Sequence, residues 1–276
     1  MELTEVSRRG LLLLGCGRMG SALLEGWLAG GLDPSAITVL EPNPTPRLAE
    51  LARTGLDLNG PLPADPAVAV LAVKPQSMDA ALPALAAFGN GTTVFLSIAA
   101  GTPIAAFEAA LGERTPIVRA MPNTPAAIGR GVTALVGNAR AGEQALALAE
   151  TLMRAVGATV RLDDEAQMDA VTAVSGSGPA YVFLLTEALA AAGEAEGLPP
   201  ELALTLARAT VSGAGALAEA SERNPSQLRT DVTSPGGTTA AALAVLMAED
   251  TGLPALMHRG VAAAAARSRE LAAQAR

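Results

Sequence analysis

Aromatic side chains are nearly missing from these 276 residues: one tryptophan, one tyrosine and four phenylalanines stand in a chain that is 50% hydrophobic. The core must then be assembled from Ala, Leu and Val, and the alanine content favours helices packed at close range. Cysteine occurs once, as Cys16. That excludes an internal disulfide and a cysteine-based zinc site, and it fits a reducing compartment, the cytoplasm. The stretch Met1 to Gly10 carries Glu2 and Glu5 and lacks the charged-then-apolar order of a secretion signal. Long apolar runs are missing as well. Even the stretch from Gly178 to Gly193 is interrupted by Glu187, so no membrane partner is expected. Basic residues are scattered and the net charge is −8, which argues against nucleic acid. Histidine and lysine appear once each, as His258 and Lys74. With no Ser/His/Asp set, metal-ligand cluster or Walker-type loop, no metal is expected and acid–base chemistry has few carriers.

What is present is organised in two textures. The length exceeds the roughly 100–200 residues of one domain. Short apolar runs at Leu11–Leu14, Ile37–Leu40, Val68–Val73, Thr93–Ile98 and Ile117–Arg119, each bounded by Gly, Pro or polar residues, read as buried strands. They alternate with helical segments, which implies a parallel sheet. Val132–Val136 and Thr159–Leu162 read as further strands around a helix at Glu143–Arg154. Beyond Asp163 the strand signal vanishes, and helices are expected at Asp164–Ala173, Pro179–Glu196, Pro200–Ala220, Thr239–Ala248 and Leu253–Gln274. The fold class is therefore α/β, with a dinucleotide-binding domain over 1–162 and an all-helical domain over 163–276. Ala180–Ala192 is apolar on nearly every face and needs burial, which a subunit interface supplies.

The first strand runs into Gly15-Cys-Gly-Arg-Met-Gly20 and then a helical pattern. Strand, GxGxxG and helix in that order form the dinucleotide fingerprint: the first glycine makes the tight turn, the second admits the pyrophosphate, the third packs helix on strand. Cys16, inside the motif, reads as packing. After the second strand the signals for the adenosine ribose conflict. Glu41 favours a free 2′-hydroxyl, whereas Asn43, Thr45 and Arg47 suit a 2′-phosphate. Lys74 ends an apolar strand, where ligands of parallel sheets bind. No lysine follows it, which opposes a 3-hydroxy acid reductase that uses a second-domain lysine as general acid. His258 lies among Leu256, Met257 and Arg259 and reads as packed or exposed.

The segment Asp231-Val-Thr-Ser-Pro-Gly-Gly-Thr-Thr239 builds a glycine-rich turn opening onto a helix, with no strong acid–base group besides Asp231. Backbone N–H groups at the positive helix end, beside the Ser234, Thr238 and Thr239 hydroxyls, make a seat for a small carboxylate. An ordinary loop with a threonine N-cap is the plainer alternative.

Together these segments resemble the pyrroline-5-carboxylate reductases of proline biosynthesis. The resemblance rests on Gly15–Gly20, Ala72-Val-Lys-Pro-Gln76, Ser97-Ile-Ala-Ala-Gly101, Arg119-Ala-Met-Pro-Asn-Thr-Pro125, Val171-Thr-Ala-Val-Ser-Gly-Ser-Gly-Pro-Ala-Tyr181 and Asp231–Thr239. It implies reduction of a cyclic imino acid by NADPH, with NADH possible, and a homodimer of interleaved helices that closes into a decamer in some members. It also implies that Ala72, Val73, Lys74, Ala99 and Ala100 line the nicotinamide end and Asn59 lies near the adenosine, which join Gly15, Cys16, Gly17, Arg18, Met19 and Gly20 of the fingerprint and Asn43 and Arg47 of the ribose segment in one expected cofactor site. The substrate would be gripped by Ser234, Gly236, Gly237, Thr238 and Thr239, with Thr239 at the ring nitrogen and Ser234 beside it as the catalytic pair. Another Rossmann oxidoreductase, or a nucleotide-sensing protein that lost turnover, remains the alternative.

Overall fold

The computed structural model describes residues 2–274. Eight strands form one sheet: β1 (Leu11–Leu14), β2 (Ile37–Leu40), β3 (Asp57–Leu58), β4 (Val68–Leu71), β5 (Val94–Ser97), β6 (Ile117–Met121), β7 (Gly131–Gly137) and β8 (Gly157–Arg161). Their spatial order is β3-β2-β1-β4-β5-β6-β7-β8. Every pairing is parallel, as expected for the first five runs, except β6 with β7. The physical reason is the short connection between those two strands, since a parallel return needs a longer crossover. β4 also ends at Leu71, short of the expected Val73.

The helices are α1 (Glu2–Arg9), α2 (Arg18–Ala29), α3 (Pro46–Ala52), α4 (Met78–Ala81), α5 (Ile104–Leu111), α6 (Gly142–Arg154), α7 (Met168–Val171), α8 (Gly178–Ala195), α9 (Pro200–Ala220), α10 (Pro225–Asp231), α11 (Thr238–Leu246) and α12 (Leu253–Gln274). Where one helix is expected over Asp164–Ala173, the chain makes a 3₁₀ turn at Glu165–Gln167, the single turn α7, and a π-helical turn at Thr172–Gly176.

The strand side chains alternate as a pleat requires. Leu11, Leu13, Val68, Val70 and Leu96 join the core on one face, against Leu23, Trp27, Leu148 and Leu152. Leu12, Leu14, Ala69, Leu71 and Phe95 join the core on the other, against Met78, Leu85, Ile104 and Phe107. A strand covered on both faces must be largely apolar, and in these runs the one polar residue is Ser97 at the end of β5. Trp27 meets its polar need by donating its indole N–H to the Leu152 carbonyl at 2.9 Å.

The chain divides into two compact units. One runs to Gly176 and takes in the chain again from Ala264, and the other is Ser177–Ala263. The change of texture at Leu162 follows the end of β8 at Arg161, and the first unit continues past it through α7. In the second unit α8 and α9 pack closely, because a Cβ at Gly193 would sit 3.4 Å from that of Ala203. Yet Ala190 is the buried residue of α8, while Phe183 is 61% and Leu184 64% exposed. On α11 and just beyond it, Val245, Leu246 and Met247 are exposed as well. Apolar helices left this open need a partner.

Candidate active site

The glycine loop lies where the fingerprint predicts, between β1 and α2. Gly15 has φ +89°, a conformation L side chains rarely adopt, and a Cβ there would stand 2.8 Å from Val73 Cγ1. The third glycine is equally constrained: a Cβ at Gly20 would stand 2.5 Å from the Gly15 carbonyl oxygen. Gly17 differs, with φ −70° and no atom within 4 Å of an added Cβ. It is the N-cap of α2 and brings no side chain to cap the helix. The loop therefore presents open space and uncapped N–H groups at a positive helix end, which fits a dinucleotide pyrophosphate. Arg18 is exposed beside this opening, Met19 half-buried.

Glu41 reaches back to this loop. Its Oε2 accepts from the Cys16 N–H at 2.8 Å and its Oε1 from the Asn43 N–H at 3.0 Å. Asn59, at φ +57°, clamps the Glu41 backbone from both sides, accepting its N–H at 2.8 Å and donating to its carbonyl at 2.9 Å. Cys16 is buried, and burial pushes its thiol pKa up, Glu41 and Glu25 adding to the shift. Arg47 is in a two-pronged ion pair with Glu25 of α2, at 2.7 and 3.1 Å, and touches Glu50 at 3.5 Å. That hydrogen-bonded guanidinium holds the Glu25 carboxyl below its usual range. Thr45 caps α3 by accepting from the Leu48 N–H.

Ala72, Val73 and Lys74 follow the carboxyl end of β4, and Ala99 and Ala100 follow that of β5. The Ala72 N–H bonds to the Leu14 carbonyl at 2.8 Å, tying this turn to the glycine loop. Lys74 is exposed; Ala99 is buried and Ala100 open. Ala100 also borders a cleft of about 820 Å³ lined by Pro75, Met78, Leu82, Thr102 and Leu271. Beyond it Glu165 Oε1 accepts from both the Ile104 N–H, at 2.9 Å, and buried Arg119, at 2.7 Å. The same unit joins two of the sequence motifs, since Asn123 donates to Ser175 Oγ at 3.3 Å and Met121 packs on Gly176. The motif strings hold these residues, but single-residue reasoning did not single them out.

In the second unit the turn before α11 has the predicted form. Gly236 has φ +70°, and Gly237 is the α11 N-cap, without a side-chain cap bond, its own N–H bonded to the Ser234 carbonyl at 3.0 Å. Thr238 and Thr239 open the helix, Thr239 half-buried and Ser234 exposed. Asp231 is ion-paired with Arg223, which removes the one acid of the segment from free service. His258 is exposed on α12. Among the described residues no group of His, Cys, Asp or Glu is arranged to hold a metal, and no helix is long and apolar enough to cross a membrane.

A mostly parallel sheet with a glycine cradle at the carboxyl ends of its strands, followed by helices, defines a dinucleotide-binding protein of the Rossmann class. Comparison with known proteins narrows this. Residues 11–101 match the family model "NADP oxidoreductase coenzyme F420-dependent", and residues 165–271 match "Pyrroline-5-carboxylate reductase dimerisation". The chain is 44% identical over 267 residues to a pyrroline-5-carboxylate reductase of Pseudomonas aeruginosa, covering 96% of this chain and 97% of that one. The solved pyrroline-5-carboxylate reductase of Coxiella burnetii superimposes with a TM-score of 0.88 at 36% identity, covering 95% of this chain and 98% of that one. A Plasmodium falciparum pyrroline carboxylate reductase, solved with NADP bound, superimposes with a TM-score of 0.80 at 27% identity, covering 96% and 99%. The chain belongs to the pyrroline-5-carboxylate reductase family.

Proposed function

We propose that the chain reduces pyrroline-5-carboxylate to L-proline with NAD(P)H, holding cofactor and imino acid through the two glycine-rich turns described above. The observation that carries the reading is that the first unit holds an open dinucleotide cradle at Gly17 while the second holds another uncapped helix start, at Gly237, that offers hydroxyls and no titrating group. Gly15 to Gly20 hold the pyrophosphate, and Ala72, Val73, Lys74, Ala99 and Ala100 line the nicotinamide end. Bound nicotinamide supplies the hydride. The substrate is an anion at its carboxylate and a cation at its protonated ring nitrogen. The first N–H groups of α11 and the Ser234 hydroxyl satisfy the carboxylate, and the Thr239 hydroxyl accepts from the ring N–H. Because the iminium nitrogen brings its own proton, no general acid is needed, and the exposed His258 and the paired Asp231 have no part to play.

The functional partition follows the texture change, with residues 1–162 binding the dinucleotide and 163–276 the substrate and the partner subunit. A second copy covers the open faces of α8, α9, α11 and α12 in a homodimer, and light scattering distinguishes this from a decamer. A single buried thiol suits the reducing cytoplasm. The test is imine-dependent oxidation of NADPH and NADH by the purified oligomer. Loss of reduced-nicotinamide absorbance only when pyrroline-5-carboxylate is added supports the reading. No oxidation of either cofactor refutes it.

A further inference from the structure

We infer that Glu41 sets the nucleotide preference of this chain, favouring the unphosphorylated ribose of NADH over the 2′-phosphate of NADPH. The inference rests on the dinucleotide-binding reading above and asks which dinucleotide is taken.

Glu41 follows β2 directly, the place from which an acid addresses the adenosine ribose in this fold. Its carboxylate does not swing free. One oxygen is fixed on the Cys16 N–H inside the glycine loop, the other on the Asn43 N–H, and the backbone beneath is clamped by Asn59. An ionised carboxylate has about four lone-pair sites, so two acceptors remain for ribose hydroxyls. A phosphate ester has no donor to offer them and brings its own negative charge to hydrogen-bond range of a fixed anion.

The cation of this segment is committed elsewhere, which leaves Arg18, exposed at the start of α2, as a free guanidinium beside the glycine loop. Arg47 is the basic residue nearest in sequence, and its guanidinium spans Glu25 with two bonds and reaches Glu50 with a third contact. Arg47, Glu25, Glu50 and Glu41 together carry one positive and three negative charges. To serve a 2′-phosphate, Arg47 must leave the two-pronged pair, a geometry in which guanidinium binds carboxylate well. The field of these four side chains therefore opposes the extra phosphate.

The experiment is calorimetric titration of the intact enzyme with NADH and with NADPH, without imine, for wild type, Glu41→Gln and Arg47→Ala. Wild type is expected to bind NADH more tightly. Glu41→Gln keeps an oxygen for the Cys16 N–H but removes the charge, so the NADPH to NADH affinity ratio should rise at least tenfold. Arg47→Ala should move that ratio less than threefold. Tighter NADPH binding by wild type, or an unchanged ratio in Glu41→Gln, overturns the inference. So does selective loss of NADPH affinity in Arg47→Ala, which would give the phosphate to Arg47. Failure of the reductase reading would look different: cofactor binds, with whichever preference, but imine does not turn over.

Discussion

Replacing Gly17 by alanine separates the needs of the fold from those of the cofactor. Gly17 holds φ −70° and ψ −160°, which alanine adopts, and an added Cβ meets nothing within 4 Å. The poorer N-cap that alanine makes and the freedom the unfolded chain loses, each worth about 0.4–1 kcal/mol, offset one another, so stability should stay close to wild type. The pyrophosphate, however, needs close approach to this residue. A methyl group there lifts the phosphate from the α2 N–H groups. Losing one hydrogen bond to a charged group is worth about 1.5–3 kcal/mol, or roughly ten- to a hundredfold in affinity. Gly20→Ala is the converse, because its Cβ would lie 2.5 Å from a backbone carbonyl oxygen that cannot rotate away. Relief requires backbone shifts costing about 1–3 kcal/mol. Thermal unfolding without cofactor, paired with calorimetric titration of NADPH and NADH, reads both. Gly17→Ala melting early while binding as wild type would refute the reasoning, since the glycine would then serve the turn and not the ligand.

Three further outcomes are expected. Thr239→Ala should lower kcat/KM for the imino acid by about ten- to a hundredfold with NAD(P)H affinity unchanged, whereas His258→Ala should keep its activity; the opposite pattern in steady-state kinetics would place a titrating group in the mechanism. Glu165→Ala strands the buried Arg119 charge and should destabilise the fold by about 3 kcal/mol, the low end for a buried pair because Glu165 is 29% exposed, with Glu165→Gln recovering part of it; a denaturant midpoint equal to wild type for Glu165→Ala would contradict this. Cys16, buried and with its thiol pKa pushed up, should react with iodoacetamide far more slowly in the folded protein than in urea, and equal labelling rates by mass spectrometry would show that the loop opens freely.

Much of this architecture is legible in the chain because its carriers are local. Leu11–Leu14 declares a strand by composition, Gly15–Gly20 declares the turn after it, and Gly236-Gly237 declares the second turn. What sequence reading missed depends on partners far apart or on elements too short for a period. β3 is two residues long and has no alternation to detect. α10 did carry a signal, Asn224 and Gln227 forming a capping box around Pro225, but seven residues show no helical face. The bond from Glu41 to Cys16 spans 25 positions, and that of Arg47 to Glu25 spans 22. Composition alone therefore left the ribose pocket ambiguous. The short connection before β7 did mark the antiparallel step, but nothing local marked the return of the last turns of α12 to the first unit.

The account's central claim is hydride delivery from the nicotinamide to the imine carbon of pyrroline-5-carboxylate. The most direct measurement supplies NAD(P)H deuterated at the transferred position together with pyrroline-5-carboxylate, and analyses the product by mass spectrometry and NMR. The claim predicts L-proline carrying one deuterium on the ring carbon that had borne the imine, in equal amount to the cofactor oxidised. Unlabelled proline, or cofactor oxidation without proline, would contradict it.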